Sequence, residues 1–152
     1  MYSPILTWPY RLGSSDCLTV VREILSRAYG VTIPNYARPE GFHADELNLM
    51  MRIANEDFFK LRPSLDIKDL QAGDILCFSY LSTNVNHVGI YVGNNTFVHQ
   101  MDKSFPREEN FSLSWFRRLK YVFYHEDIEQ VKPKFDILDL MPNYVKVMNY
   151  VE

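Results

Sequence analysis

The chain has 152 residues, 47% of them hydrophobic and 14% aromatic, with a formal net charge of −3. That length reads as one domain with ample material for a core. With this mildly acidic balance nothing looks like a nucleic-acid binder, which usually shows a basic patch, and no apolar run is long enough for membrane insertion as a transmembrane helix.

The N-terminal stretch Met1-Tyr2-Ser3-Pro4-Ile5-Leu6-Thr7-Trp8 lacks the basic start and apolar length of a signal peptide. The expected place of synthesis is therefore a cytoplasm, with any export carried out by something else. From Asp16 the pattern is helical. Leu18, Val21, Leu25 and Ala28 fall at helical spacing, and Val20 and Ile24 broaden the stripe. Asp16 is the expected N-cap and Gly30 the expected stop. Cys17 thus lies in the first turn, where free N–H groups and the positive dipole end favour a thiolate.

A loop with Pro34 and Pro39 follows. Residues 43–58 read as a second helix with Leu47, Met50, Met51, Ala54 and Phe58 on its apolar side, and 61–73 as a loop. The middle is β-like: strands over Ile75–Tyr80, His87–Val92 and Thr96–His99, with Gly93-Asn94-Asn95 as a hairpin turn. Alternation puts His87, Gly89 and Tyr91 on one face and Val88, Ile90 and Val92 on the other. A two-residue turn gives His99 a partner between positions 88 and 90, and a bulge brings the two histidines closer. Another strand is expected over Leu119–Tyr124, preceded by Trp115-Phe116-Arg117-Arg118, which reads as packing of that strand rather than a binding patch. Residues 126–152 are broken by Pro133 and Pro142 yet too apolar for a free tail.

Two cysteines in a chain without a secretory signal do not suggest a disulfide framework. Cys77 reads as a small core residue on a strand. Four histidines and two cysteines raise zinc, but no CxxC or HxxxH spacing exists, so neither metal nor other cofactor is expected. His43 and His125 read as surface or capping residues. Cys17, His87 and His99 remain: a thiol at a helix start, a strand histidine, and a second histidine on the next strand. These are the parts of a nucleophile, its base and the base's orienter.

Four segments then match one family. Pro9-Tyr10 with Gly13 and Asp16-Cys17 is similar to the nucleophile segment of the NlpC/P60 cysteine peptidases. Leu70-Gln71-Ala72-Gly73-Asp74-Ile75-Leu76-Cys77-Phe78 resembles their "LQPGDLVFF" stretch. Asn86-His87-Val88-Gly89-Ile90-Tyr91-Val92-Gly93 resembles "HVGIYLG", and Phe97-Val98-His99 resembles "FIHA". The resemblance covers most of residues 9–100. It implies an α+β papain-like fold, an N-terminal helix with the cysteine packed on an antiparallel sheet with both histidines. It also implies a peptidase domain over 1–125, with 126–152 as an apolar extension that packs on the domain or docks a partner.

By that resemblance Cys17 is the nucleophile, His87 the base and His99 its orienter, with Tyr10 and Asp16 near the oxyanion and substrate. The implied substrate is the γ-D-glutamyl link to a diamino acid in peptidoglycan stem peptides. The family usually reads Asp-Cys-Ser-Gly, where this chain has Asp16-Cys17-Leu18-Thr19; the larger residues bear on substrate fit. Lacking a leader and a companion SH3-like domain, the chain looks most like the phage-tail branch, which acts on the host wall from a virion. Two rivals stand beside this reading. One is a tail-assembly part that keeps the fold and works through its C-terminal segment with other tail proteins. The other is a different acyl enzyme, an amidase or acyltransferase, on the same fold.

Overall fold

The computed structural model describes residues 16–34, 52, 56, 59–101 and 104–128. The first helix, α1, spans Cys17–Tyr29. Asp16 caps it: Oδ1 accepts from the Thr19 N–H and from the Thr19 hydroxyl, both at 2.9 Å. Gly30 ends it in the left-handed region (φ 73°), the conformation that glycine adopts at least cost. The stripe expected from the sequence is buried throughout, from Leu18 to Ala28. Of the second helix expected over 43–58, only Arg52 and Glu56 are among the described residues. Both are helical, and their side chains pair at 3.1 Å.

Six strands form one sheet: β1 (Phe59–Leu61), β2 (Ile75–Phe78), β3 (His87–Gly93), β4 (Thr96–Gln100), β5 (Pro106–Asn110) and β6 (Leu119–His125). Their order is β1-β6-β2-β3-β4-β5, with every pairing antiparallel. A six-residue helix, α2 (Leu113–Arg118), precedes β6, and its N-cap Ser112 accepts from the Trp115 N–H. This is the α+β arrangement expected from the sequence.

The pleat divides the core in two. Helix α1 packs on β3 and β4. With them it encloses Val20, Val21, Ile24 and Leu25 together with Ile75, Cys77, Val88, Ile90, Val98 and Phe123. The opposite face gathers Leu76, Phe78, Tyr91, Phe97, Phe111, Leu119 and Val122, covered by Trp115 and Phe116 of α2. Each fully buried Val, Leu, Ile or Phe contributes about 1.5–3 kcal/mol relative to exposure. Cys77 lies in the α1-side core, and neither cysteine is disulfide-bonded.

The structure differs from the sequence expectation in several stretches, among them Leu113–Arg118, which is a short helix. Leu61, at the start of the expected loop, ends the three-residue strand β1, and Pro106–Asn110 forms a strand that no hydrophobic alternation announced. The stretch Gly73-Asp74 just before β2 is held by backbone hydrogen bonds to Tyr91 and Gln71 and by an ion pair. Arg62 grips Asp74 with two bonds, Nε to Oδ2 at 2.6 Å and Nη2 to Oδ1 at 2.9 Å, and also lies over the Tyr124 ring. Asp74 also accepts from the Gln71 N–H at 3.1 Å. Both side chains are largely buried, at 14% and 4% exposure. Removing one partner strands the other charge. Asp74→Ala is therefore expected to cost about 3–5 kcal/mol, read as a fall in the urea midpoint at unchanged slope.

Candidate active site

The site begins with the hairpin. Asn94 and Asn95 both hold positive φ (52° and 59°), the two-residue turn whose twist suits a β-hairpin. Behind it β3 takes two steps, Tyr91 to Gly93, while β4 takes one, Phe97 to Thr96, so Val92 is a bulge. The register becomes Tyr91↔Phe97, Ile90↔Val98 and Gly89↔His99. Without the bulge, His99 would sit opposite Ile90 on the α1 face. With it, His99 shares a face with Gly89 and therefore with His87, two residues along.

The two rings meet there: His87 Nε2 lies 2.8 Å from His99 Nδ1. Gly89 makes room for them. A Cβ on it would lie 3.1 Å from Phe97 Cδ2, 3.1 Å from the Val98 carbonyl oxygen and 3.2 Å from His99 Cβ. His99 is fully buried and His87 is 5% exposed. His99 stacks on Phe97 (centroids 4.5 Å apart) and meets the Trp115 edge (4.9 Å), and His87 stacks on Phe78 (5.9 Å). The aromatic segment expected to pack the last strand thus does more: Trp115 walls the histidine pair.

The loop before His87 is closed by one side chain. Asn86 Oδ1 accepts from the Tyr80 N–H at 2.7 Å, and its Nδ2 donates to the Tyr80 carbonyl at 2.8 Å. The backbone N–H of Asn86 donates to the Phe78 carbonyl at 3.0 Å. These bonds set the residue that precedes His87, so the Asn-His step in the sequence is a loop clamp followed by the first ring of the histidine pair.

A further residue reaches the pair. Glu109 Oε2 lies 2.7 Å from His99 Nε2, so both ring nitrogens of His99 are engaged. The Glu109 side chain is 29% exposed, and its other oxygen is 3.5 Å from Arg107 Nη1. Burial holds the His99 pKa below its ordinary value, against the upward pull of Glu109. The hydrogen bond from His99 holds the Glu109 carboxyl below its own. At neutral pH His99 is neutral and Glu109 ionised. Sequence reading did not single out Glu109. Its only signal was an acidic residue on a stretch with no visible strand pattern.

Cys17 is buried in the first turn of α1, the helix that packs on the two histidine strands. Asp16 is fully buried with Oδ1 committed to the cap. Thr19, where the related motif carries a small residue, supplies the hydroxyl in that cap. Tyr10 and His43 lie outside the described residues, as do 129–152, most of the C-terminal extension. His125 meets Phe59 edge-on (5.0 Å), and its Nδ1 accepts from the Asp127 N–H, a capping role. Among the described residues, no cluster of three or more His, Cys, Asp or Glu side chains could hold a metal ion. No described helix is long and apolar enough to cross a membrane.

The sequence model of the NlpC/P60 family matches residues 7–122. The chain belongs to the NlpC/P60 family. It is 25% identical over 113 residues to tail tip assembly protein K of Escherichia phage lambda, covering 74% of this chain and 55% of that protein. It is 30% identical over 100 residues to murein DD-endopeptidase MepS/murein LD-carboxypeptidase of Escherichia coli K12, covering 62% of this chain and 43% of that protein. The chain thus spans about half the length of these curated relatives. A solved structure of an NLP/P60-family lipoprotein-like protein from Staphylococcus aureus aligns over 70% of this chain and 40% of that one, at 20% identity and TM-score 0.35.

Two outcomes follow from this geometry. Because the His99 pKa is depressed on folding, the unfolded chain binds protons first as pH falls. The stability contributed by neutral His99 is complete above the ordinary value of 6.5 and is lost progressively below it; Glu109 adds a second loss below its ordinary 4.5. Thermal unfolding midpoints should therefore fall as pH drops from 7 to 5, and fall less in His99→Gln. Gly89→Ala forces β3 and β4 apart against a backbone carbonyl and should cost about 1–3 kcal/mol in urea unfolding.

Proposed function

We propose that this chain is a cysteine endopeptidase of peptidoglycan stem peptides, acting from a phage tail or a similar delivery device on the host wall. The observation that carries the reading is the buried His87–His99 contact at 2.8 Å, on strands packed against the helix whose first turn bears Cys17. His87 takes the thiol proton, and the thiolate attacks the carbonyl of the γ-D-glutamyl–diamino acid link. Backbone N–H groups at the start of α1, including that of Cys17, hold the oxyanion, aided by the Tyr10 hydroxyl. His87 then gives the proton to the leaving amine, and water releases the acyl group from the sulfur. His99 accepts from His87 Nε2 and fixes the ring's orientation.

Family membership supports hydrolytic chemistry, and the Escherichia coli relative is by name a murein peptidase. The phage lambda relative is by name a tail tip assembly protein, which supports the tail setting. That same name favours a second reading, in which the chain is mainly an assembly part and residues 126–152 dock other tail proteins.

Digestion of purified stem peptides, read by mass spectrometry, tests the first reading. Wild type should cut at the γ-D-glutamyl–diamino acid bond, and Cys17→Ala should lose at least 1,000-fold in rate, a rough figure for removal of a covalent nucleophile. Inert wild type with a Cys17 that resists alkylation at neutral pH would sink the peptidase reading and promote the assembly one.

A further inference from the structure

Glu109 sits on β5, an edge strand paired to β4 in the register Phe97↔Glu109 and His99↔Arg107. It is therefore diagonal to His99 on the same face, and its carboxylate reaches His99 Nε2 at 2.7 Å. Proton placement follows from that contact. An ionised carboxylate only accepts, so His99 must carry its proton on Nε2. A neutral imidazole has one proton, so His99 Nδ1 is left with a lone pair. That nitrogen lies 2.8 Å from His87 Nε2, which must then be the donor. In its neutral form His87 then has its one proton on Nε2 and its lone pair on Nδ1.

We propose that Glu109 is a positioning residue that sets the tautomers of both histidines in series, leaving His87 Nδ1 as the basic atom of the site. This rests on the peptidase reading for its catalytic consequence, though not for its proton placement. When Nδ1 takes the thiol proton, His87 becomes an imidazolium that keeps its Nε2–H on His99. The new positive charge faces a fixed negative charge through one neutral ring. No proton leaves Glu109 or His99 in this step. The hydrogen bond from His99 is the main cause that holds the Glu109 carboxyl in its ionised form; Arg107, from the same strand and 3.5 Å from the other Glu109 oxygen, adds only a small pull in the same direction.

The test is nitrogen-15 NMR of histidine side chains at neutral pH, which distinguishes Nδ1–H from Nε2–H. The chain has four histidines, and His125 is an internal reference because its Nδ1 already accepts a backbone N–H. Wild type should show Nε2–H for both His87 and His99. In Glu109→Ala that preference should weaken at both rings. Glu109→Gln keeps the shape and one acceptor oxygen without the charge, so it should fold where the alanine variant does not, and still show mixed tautomers. On stem peptides, kcat should fall roughly 10- to 100-fold with KM little changed, as when an outer partner of a functional histidine is lost. Arg107→Ala should leave the tautomers as in wild type.

An Nδ1–H tautomer at His99 in wild type, or unchanged tautomers in a folded Glu109→Gln, overturns the proposal. Wild type that cleaves no stem peptide overturns the peptidase reading alone, because the tautomer measurement needs no substrate.

Discussion

One extra residue in one strand decides which side chains this sheet brings together. Val92 lengthens β3 by a single step between the Asn94-Asn95 turn and the paired stretch beyond it. Side chains alternate across a strand with period two, so that step turns the whole of β4 over relative to β3. Phe97 and His99 move to the face of His87 and Tyr91, and Val98 to the face of α1. The two histidines can then meet although they are not directly opposite. Gly89, which is opposite His99, leaves the space between them open.

The two faces of the sheet divide the labour accordingly. The α1 face is mainly aliphatic and anchors the helix that carries Cys17. The other face is aromatic: Phe78, Phe97, Phe111 and Trp115 lie within 5.1–6.2 Å of Phe78 or of one another, and the two histidine rings lie among them. Planar rings exclude water from the imidazoles without competing for their nitrogens. In such surroundings a hydrogen bond is stronger and an unpaired polar atom is costlier. That explains why both nitrogens of buried His99 are occupied.

The parts of this arrangement legible in the sequence were the local ones. Asp16, the apolar stripe and Gly30 define α1 within fifteen residues, and the Asn94-Asn95 turn with flanking alternation defines the hairpin. The neighbourhood of His87 and His99 follows from that hairpin, while the bulge that fixes their face does not, because Val92 looks like any other strand residue. Two partners of the pair stayed hidden. Trp115 comes to the rings through α2, a helix too short to show a period. Glu109 comes through β5, whose Pro-Arg-Glu-Glu-Asn sequence has the proline and charge of a protected edge strand and so reads as loop. The unusual Leu18-Thr19 pair was legible only as a departure. Its physical sense, a buried leucine and a hydroxyl folded into the Asp16 cap, needed the structure.

On the proposed peptidase reading, the same geometry explains how a neutral third residue can serve in place of a carboxylate. Position 99 has no exposure at all, and an ionised group there would lose its hydration with a single ring as compensation. Its desolvation cost of several kcal/mol would rival the benefit of holding an imidazolium. An imidazole carries no charge of its own into that interior. It has one donor and one acceptor on opposite sides, so it passes the directionality of a hydrogen bond from one end to the other. The charge itself can then stand at Glu109, 29% exposed on an edge strand and beside Arg107, where water and a cation support it. His99 thus connects an affordable surface charge to a buried ring, and the edge strand β5 belongs to the site as much as the hairpin does.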